Sequence, residues 1–315
     1  MVGRMKIKKS LPDVFPDVVR IEVVGKCNFK CIHCPTGVEP NNRQLLTEDN
    51  FNLIVNQFIS SSFIPRVVVL YHGGEPLLNK KLSIFIGILK DIGVKKTVIT
   101  TNASLLTPLR SRELIEAGLD EIKISFDGDS PEENDFIRRE GDFYSNAKNV
   151  EFFCDICRKL DKKINIIISN VKILNQEKLS FFLKNTTDYM LDPTGYLVDY
   201  FSNYLDMIDI KSYPAMIWPG YQCYGELGYI EEPTKNITYC NKLFETTTIL
   251  SNGNVVLCCY DLAGEVILGN IYINNIFDIW NNDLYSGLRH RFKNNEYCNL
   301  CSKCVEISPR YLYKV

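Results

Sequence analysis

Residues 23–34 read VVGKCNFKCIHC, and they end a short β-branched run that begins at Val18. Cys27, Cys31 and Cys34 therefore follow directly on a strand, at C-x3-C-x2-C spacing. Outward from this point, short β-branched runs alternate with longer helical patterns. The runs predict strands over 18–24, 66–71, 96–101, 121–126, 164–171 and 196–204. Helices are expected between them over 47–60, 80–91, 108–117, 145–160 and 177–189, with Thr47 as an N-cap, Pro108 at a helix start, and Gly93 and Gly118 as stops. Six successive βα units specify an α/β fold: a parallel sheet wrapped by helices, a partial (β/α)6 TIM-like barrel two units short of closure.

The pattern changes after about Tyr213, where Pro214, Trp218, Pro219, Gly220 and Tyr221 break the periodicity. The next regular feature is a hairpin signal, with apolar runs over 246–250 and 255–260 on either side of Asn252-Gly253. An amphipathic stretch over 276–292 leads to the last cysteines. This divides the chain into an N-terminal extension (1–17), a barrel domain (18–213), a linker (214–239) and a small cysteine-bearing domain (240–315).

Composition narrows the function classes. The 315 residues are 45% apolar and 23% charged, with 36 basic and 38 acidic side chains and a net charge of −2. That balance offers no electrostatic footprint for nucleic acid or an anionic membrane. Apolar runs such as 164–168 fall far short of the ~18 residues of a membrane span, and no secretory h-region follows the basic start. A cytoplasmic location is expected, and there the twelve cysteines are more readily metal ligands than disulfides.

Three thiolates in the first loop are one short of filling a [4Fe-4S] cluster, which leaves one iron open to a ligand that is not protein. Further motifs stand at successive strand ends, the face on which barrel enzymes build their sites. HGGEP follows the second strand, with Gly73 and Gly74 permitting close backbone approach and Glu75 able to accept hydrogen bonds from an ammonium. Thr101-Asn102 follows the third strand, Ser125-Phe126-Asp127-Gly128 the fourth, and Arg138 lies in IRREGDF. In this order the motifs resemble the radical S-adenosylmethionine (radical SAM) superfamily. The resemblance implies that SAM binds the open iron of a [4Fe-4S] cluster, with Glu75 at its amino group, Arg138 at its carboxylate, and Thr101, Asn102 and Ser125 around the ribose and methionine. Arg139 is the neighbour that could be mistaken for Arg138. His33 is expected to pack beside SAM rather than ligate iron.

The C-terminal cysteines form a second constellation. Cys240-x12-Gly253-x4-Cys258 is similar to the opening of SPASM and twitch domains, which carry auxiliary iron-sulfur clusters. Cys258 and Cys259, adjacent along a strand, should face opposite ways. Cys240 and Cys258 with two of Cys298, Cys301 and Cys304 would complete one auxiliary [4Fe-4S] cluster, and Cys298 with Cys301 is the pair suggested by single-cluster relatives. Zinc held by four thiolates is the alternative. Cys154 and Cys157 share a helix face and read as packing.

The resemblance further implies a flavodoxin or ferredoxin-type electron donor and a small-molecule substrate. Peptide modifiers of this family often carry a leader-binding module, for which the position of Cys27 leaves no room. The expectation is dehydrogenation of a sugar-like or aminocyclitol alcohol. Peptide modification and epimerisation are the alternatives, with Cys223 as the thiol that an epimerase would use.

Overall fold

A computed structural model describes residues 15–38, 43–186, 189–221 and 224–315. Cys223 and residues 1–14 lie outside the described residues. The strands are β1 (Val18–Ile21), β2 (Val67–Val69), β3 (Lys96–Thr101), β4 (Glu121–Asp127), β5 (Asn165–Lys172), β6 (Ile208–Pro214), β7 (Leu227–Glu231), β8 (Thr246–Ile249), β9 (Asn254–Val256), β10 (Ile267–Asn270) and β11 (Arg310–Lys314). One sheet runs in the order β10-β9-β8-β1-β2-β3-β4-β5-β6, and β7 pairs with β11 in a second. From β1 to β6 every neighbouring pair is parallel. The large sheet stays open.

Burial explains why these runs are strands. Ile99, Ile122, Ile124, Ile166 and Ile168 are wholly buried, as residues of a parallel sheet covered by helices should be. The helix Glu48–Ser60 buries Phe51, Ile54, Val55 and Phe58, and Leu82–Asp91 buries Leu82, Phe85, Ile86 and Leu89. Both sets follow the three-and-four spacing of one helix face. The two helices meet through Phe51 and Phe85, whose rings stack 4.2 Å apart. Thr47, Thr107, Asp142 and Asn175 cap four helices by accepting backbone N–H bonds, which sets where those helices begin.

The sixth strand lies elsewhere than the sequence suggests. Residues 196–204 are rich in aromatic residues, with Val198 among them, yet Gly195–Tyr200 is a helix and Ser202–Tyr204 a 3-10 turn. The strand is Ile208–Pro214, whose alternating buried and exposed residues match a sheet edge with one face covered. The amphipathic stretch over 276–292 is likewise two helices, Ile276–Asn281 and Asp283–Lys293. Asn282 divides them: its extended backbone ends the first, and its side chain accepts from the Tyr285 N–H to cap the second.

The C-terminal residues are built onto the barrel. β8 lies parallel to β1, pairing Val18 with Thr246 through Ile21 with Ile249, so β1 is an interior strand. Phe15 packs against Phe63, Phe277 and Trp280, and the Gln57 side chain bonds the backbone of Ile271 and Ile276. Within the stretch expected as a linker, β7 pairs antiparallel with β11, and β11 also bridges to Met216.

Candidate functional site

The C-terminal ends of the parallel strands surround one cavity of about 350 Å³. Cys27, Cys31 and Cys34 line it from the loop after β1. Gly73, Gly74 and Glu75 enter after β2, Thr101 and Asn102 end β3, and Ser125 and Asp127 end β4. Arg138, immediately after the helix Pro131–Ile137, faces the same space, whereas Arg139 is exposed. The motifs distributed over some 110 residues of sequence thus share one wall-to-wall site.

Gly74 is required by contact. A Cβ there would stand 2.4 Å from the carbonyl oxygens of both Val24 and Lys26, so the HGGEP turn lies directly against the loop that carries Cys27. The Glu75 N–H donates to the Lys26 carbonyl at 2.9 Å and fastens the two loops together. The Glu75 carboxylate is buried and held by three donors: Leu77 N–H and Thr101 Oγ1 on Oε1, and Asn102 N–H on Oε2. Burial pushes its pKa up, against the pull of those donors. Oε2 retains acceptor capacity toward the cavity, which an ammonium would satisfy.

Arg138 donates from Nη1 to Asp127 Oδ2 at 2.8 Å, and its Nε is buried without a hydrogen-bond partner among the described residues. The guanidinium therefore has donors left for a carboxylate. His33 stands 3.8 Å from the same Asp127 oxygen, and burial lowers its pKa, so the neutral ring is favoured at the cavity wall. Burial pushes the thiol of Cys27 up to about 11 and that of Cys31 up to about 12. Thiols in that state become thiolates by binding a cationic centre, as three ligands of a cluster would. The Phe29 N–H donates to Cys27 Sγ at 3.4 Å, an interaction that suits a thiolate.

A second set of thiols lines a separate cavity. Cys240, Cys258, Cys301 and Cys304 line a small cavity walled by Leu243, Leu257, Phe292, Leu300 and Ile307. The hairpin explains Cys258: Gly253 turns the chain at φ +84°, where its missing Cβ leaves room for the Tyr272 ring. Cys258 is buried in the thiol cavity, while Cys259 is half-buried and does not line it; the two part as expected, but in the turn that follows β9, which ends at Val256, and not along a strand. Of the expected pair, Cys301 lines this cavity and Cys298 does not, although its thiol adjoins that of Cys301; Cys304 lines it as well. Cys298 is the N-cap of the one-turn helix Asn299–Ser302 and its thiol bonds Cys301, whereas the turn after that helix brings Cys304 into the cavity. Cys154 and Cys157 are fully buried in the hydrophobic core, as packing residues.

Tyr71, Tyr213, Met216 and Trp218 also line the first cavity and went unassigned in the sequence. Tyr71 could have been found, since it immediately precedes HGGEP. The other three lie where periodicity fades and carry no motif.

The family model described as the radical SAM superfamily matches residues 21–184, just over half of the chain. The chain belongs to the radical SAM superfamily. A second model, an iron-sulfur cluster-binding domain named SPASM, matches residues 240–305 of this radical SAM protein. Its cofactors are accordingly SAM, a [4Fe-4S] cluster and an auxiliary cluster.

Among curated relatives, a probable GTP 3′,8-cyclase of Methanocaldococcus jannaschii is 28% identical over 53% of this chain and 55% of its own length. The chain thus spans about half the length of that relative, and less of a Sulfolobus acidocaldarius one (35%). A GTP 3′,8-cyclase of Clostridium botulinum is 26% identical over 82% of this chain and 85% of that one. The S-adenosyl-L-methionine-dependent 2-deoxy-scyllo-inosamine dehydrogenase of Niallia circulans is 22% identical over 92% of this chain and 93% of its own. In fold, the chain is similar to crystalline BtrN in complex with AdoMet and 2-DOIA, with a TM-score of 0.60, 19% identity and coverage of 93% and 94%.

Proposed function

We propose that this radical SAM enzyme dehydrogenates an alcohol on a small polar ring, a sugar-like or aminocyclitol substrate. The observation that carries the reading is that neighbouring cavities share lining residues from the SAM side to the auxiliary thiols. Tyr213, Pro214 and Met216 line both the SAM-side cavity and an outer cavity of about 400 Å³, and that outer cavity shares Tyr260 and Glu306 with the auxiliary thiol set. A substrate in this space lies between the two cluster positions. The dehydrogenase relative adds support, because its match runs along nearly the whole of both chains.

In this reading Cys27, Cys31 and Cys34 hold the first cluster, and Cys240, Cys258, Cys301 and Cys304 hold the auxiliary one. Glu75 Oε2 takes the SAM ammonium and Arg138 its carboxylate, with Asp127 fixing the guanidinium. Thr101, Asn102 and Ser125 surround the remainder. When bound, these groups supply a 5′-deoxyadenosyl radical on one side of the substrate and an electron acceptor on the other. The aromatic side chains of Tyr71, Tyr213 and Trp218 wall the reacting carbon off from bulk water. A flavodoxin or ferredoxin-type protein is the proposed electron donor.

Nucleotide cyclisation is a second reading, which the GTP 3′,8-cyclase matches favour. Charge weighs against it. Among the described residues lining the two cavities, the arginine and lysine are Arg138, already paired with Asp127, and Lys235. A triphosphate calls for more countercharge.

The test is anaerobic reconstitution and turnover with 2-deoxy-scyllo-inosamine and, separately, with GTP. Product lighter than the aminocyclitol by one H2 is expected. Consumption of GTP instead would establish the second reading. Unchanged mass with solvent deuterium at one carbon would mean epimerisation, and then Cys223→Ala should lose product while still forming 5′-deoxyadenosine.

A further inference from the structure

Glu306 occupies an unusual position between the two functional spaces. Glu306 lines the outer cavity and also the auxiliary thiol cavity, and its own N–H donates to the thiol of Cys304. Lys242 Nζ holds Oε1 at 2.7 Å, and the Tyr260 hydroxyl donates to the same oxygen at 3.4 Å. No described residue hydrogen-bonds Oε2, and the side chain is 37% exposed. One oxygen is thus fixed by the protein, while the other is left as a free acceptor on a partly exposed side chain that lines the cavity.

The rest of the cavity fits a ring that carries hydrogen-bond donors. Glu306 is its acidic residue, and Tyr189, Tyr213, Tyr260 and Tyr311 contribute aromatic walls. Lys235, the cation that lines it, donates to the Tyr189 hydroxyl and lies 4.9 Å from the centre of that ring. An anionic substituent placed here would meet the Glu306 carboxylate. A hydroxyl or ammonium would complete it.

We infer that Glu306 is a substrate-binding residue whose Oε2 accepts a hydrogen bond from a hydroxyl or ammonium on the substrate ring, at a position away from the carbon that loses hydrogen. This rests on the ring-alcohol reading above. It adds a consequence of its own: the residue that reads the substrate is hydrogen-bonded through its backbone to a thiol of the auxiliary set.

Glu306→Gln separates the possibilities. Lys242 would keep the amide oxygen on its side, so the variant would present an NH2 group to the cavity, and a donor on the substrate would meet a donor. The probe is 2-deoxy-scyllo-inosamine, titrated calorimetrically into anaerobically reconstituted, SAM-loaded holoenzyme. Wild type should bind it, and E306Q should bind it at least about tenfold more weakly, with SAM affinity unchanged. Iron and sulfide equal to wild type verify the variant's fold. Glu306→Asp, which keeps the charge one methylene back, should lose only part of the affinity and serves if the glutamine variant loses its clusters. Equal affinity in wild type and both variants would overturn the inference while leaving the dehydrogenase reading intact. Failure of wild type itself to bind the probe would overturn both.

Discussion

At the scale of single residues, burial decides chemistry. Cys31 is buried in the first cavity beside Arg138, and its thiol is pushed up to about 12 by burial, so only a bound cationic centre keeps it ionised. Cys31→Ala should therefore abolish formation of 5′-deoxyadenosine from SAM by the reduced protein. A variant with Cys27, Cys31 and Cys34 all changed to alanine should still hold about four iron atoms at the separate auxiliary set, read by iron and sulfide analysis. His72 gives a pH dependence. Burial depresses its imidazole to about 4, and its Nε2–H donates to the Asp261 carbonyl. In the unfolded chain the ring titrates near 6.5, so as pH falls the unfolded state takes up the proton first. The stability tied to the neutral ring is complete above pH 6.5 and is lost as pH falls toward 4, on the order of 3 kcal/mol in all. His72→Gln keeps a donor for Asp261 and should flatten the fall of the urea midpoint of the apoprotein between pH 6.5 and 5.

At the scale of elements, loops lean on loops. Gly74→Ala would drive a methyl group into two carbonyl oxygens of the cysteine loop at 2.4 Å, and neither is the movable end of a side chain. The expected result is loss of the first cluster with retention of the auxiliary one, seen as about half the iron of wild type. The first five strands, five helices and the hairpin of β8 and β9 were legible in the sequence because their apolar spacing, caps and glycine turns are local. Ile208–Pro214 was not, although its alternation is plain once seen, because the β-formers of 196–204 mask it and a helix forms there instead. Tertiary packing overrode intrinsic preference: the Tyr196 hydroxyl reaches back to the Asp127 carbonyl at the end of β4. That Cys304 lines the thiol cavity and Cys298 does not was likewise not legible, since both spacings are C-x2-C and only the short helix at 299–302 separates them.

At the scale of the molecule, a buried ion pair ties the barrel to the C-terminal residues. Glu22 is fully buried and takes Arg43 through two bonds of 2.8 and 3.0 Å. Ser251 donates to Glu22 Oε2 from both backbone and side chain, and Arg43 donates to the carbonyls of Leu262 and Ala263. Arg43→Met should cost about 3–5 kcal/mol, because it strands a buried carboxylate. Glu22→Gln in the same chain should recover part of that loss, and urea midpoints of the single and double variants check both. None of this network was legible in the sequence, because a pairing across such a distance leaves no local pattern in either partner.

Glu22 and Ser251 are 229 residues apart in the chain. At translation rates of about 5–20 residues per second, roughly 10–45 s pass between the synthesis of one and the other. Throughout that interval β1 lacks its β8 neighbour, Glu22 lacks the serine that completes its shell, and His72 lacks the Asp261 carbonyl. A strand edge and the first cysteines leave the ribosome early and wait, so this chain is exposed during synthesis to edge pairing and premature thiol oxidation in a way that its finished form is not. The first strand to be made waits for a neighbour, β8, from the last quarter of the chain.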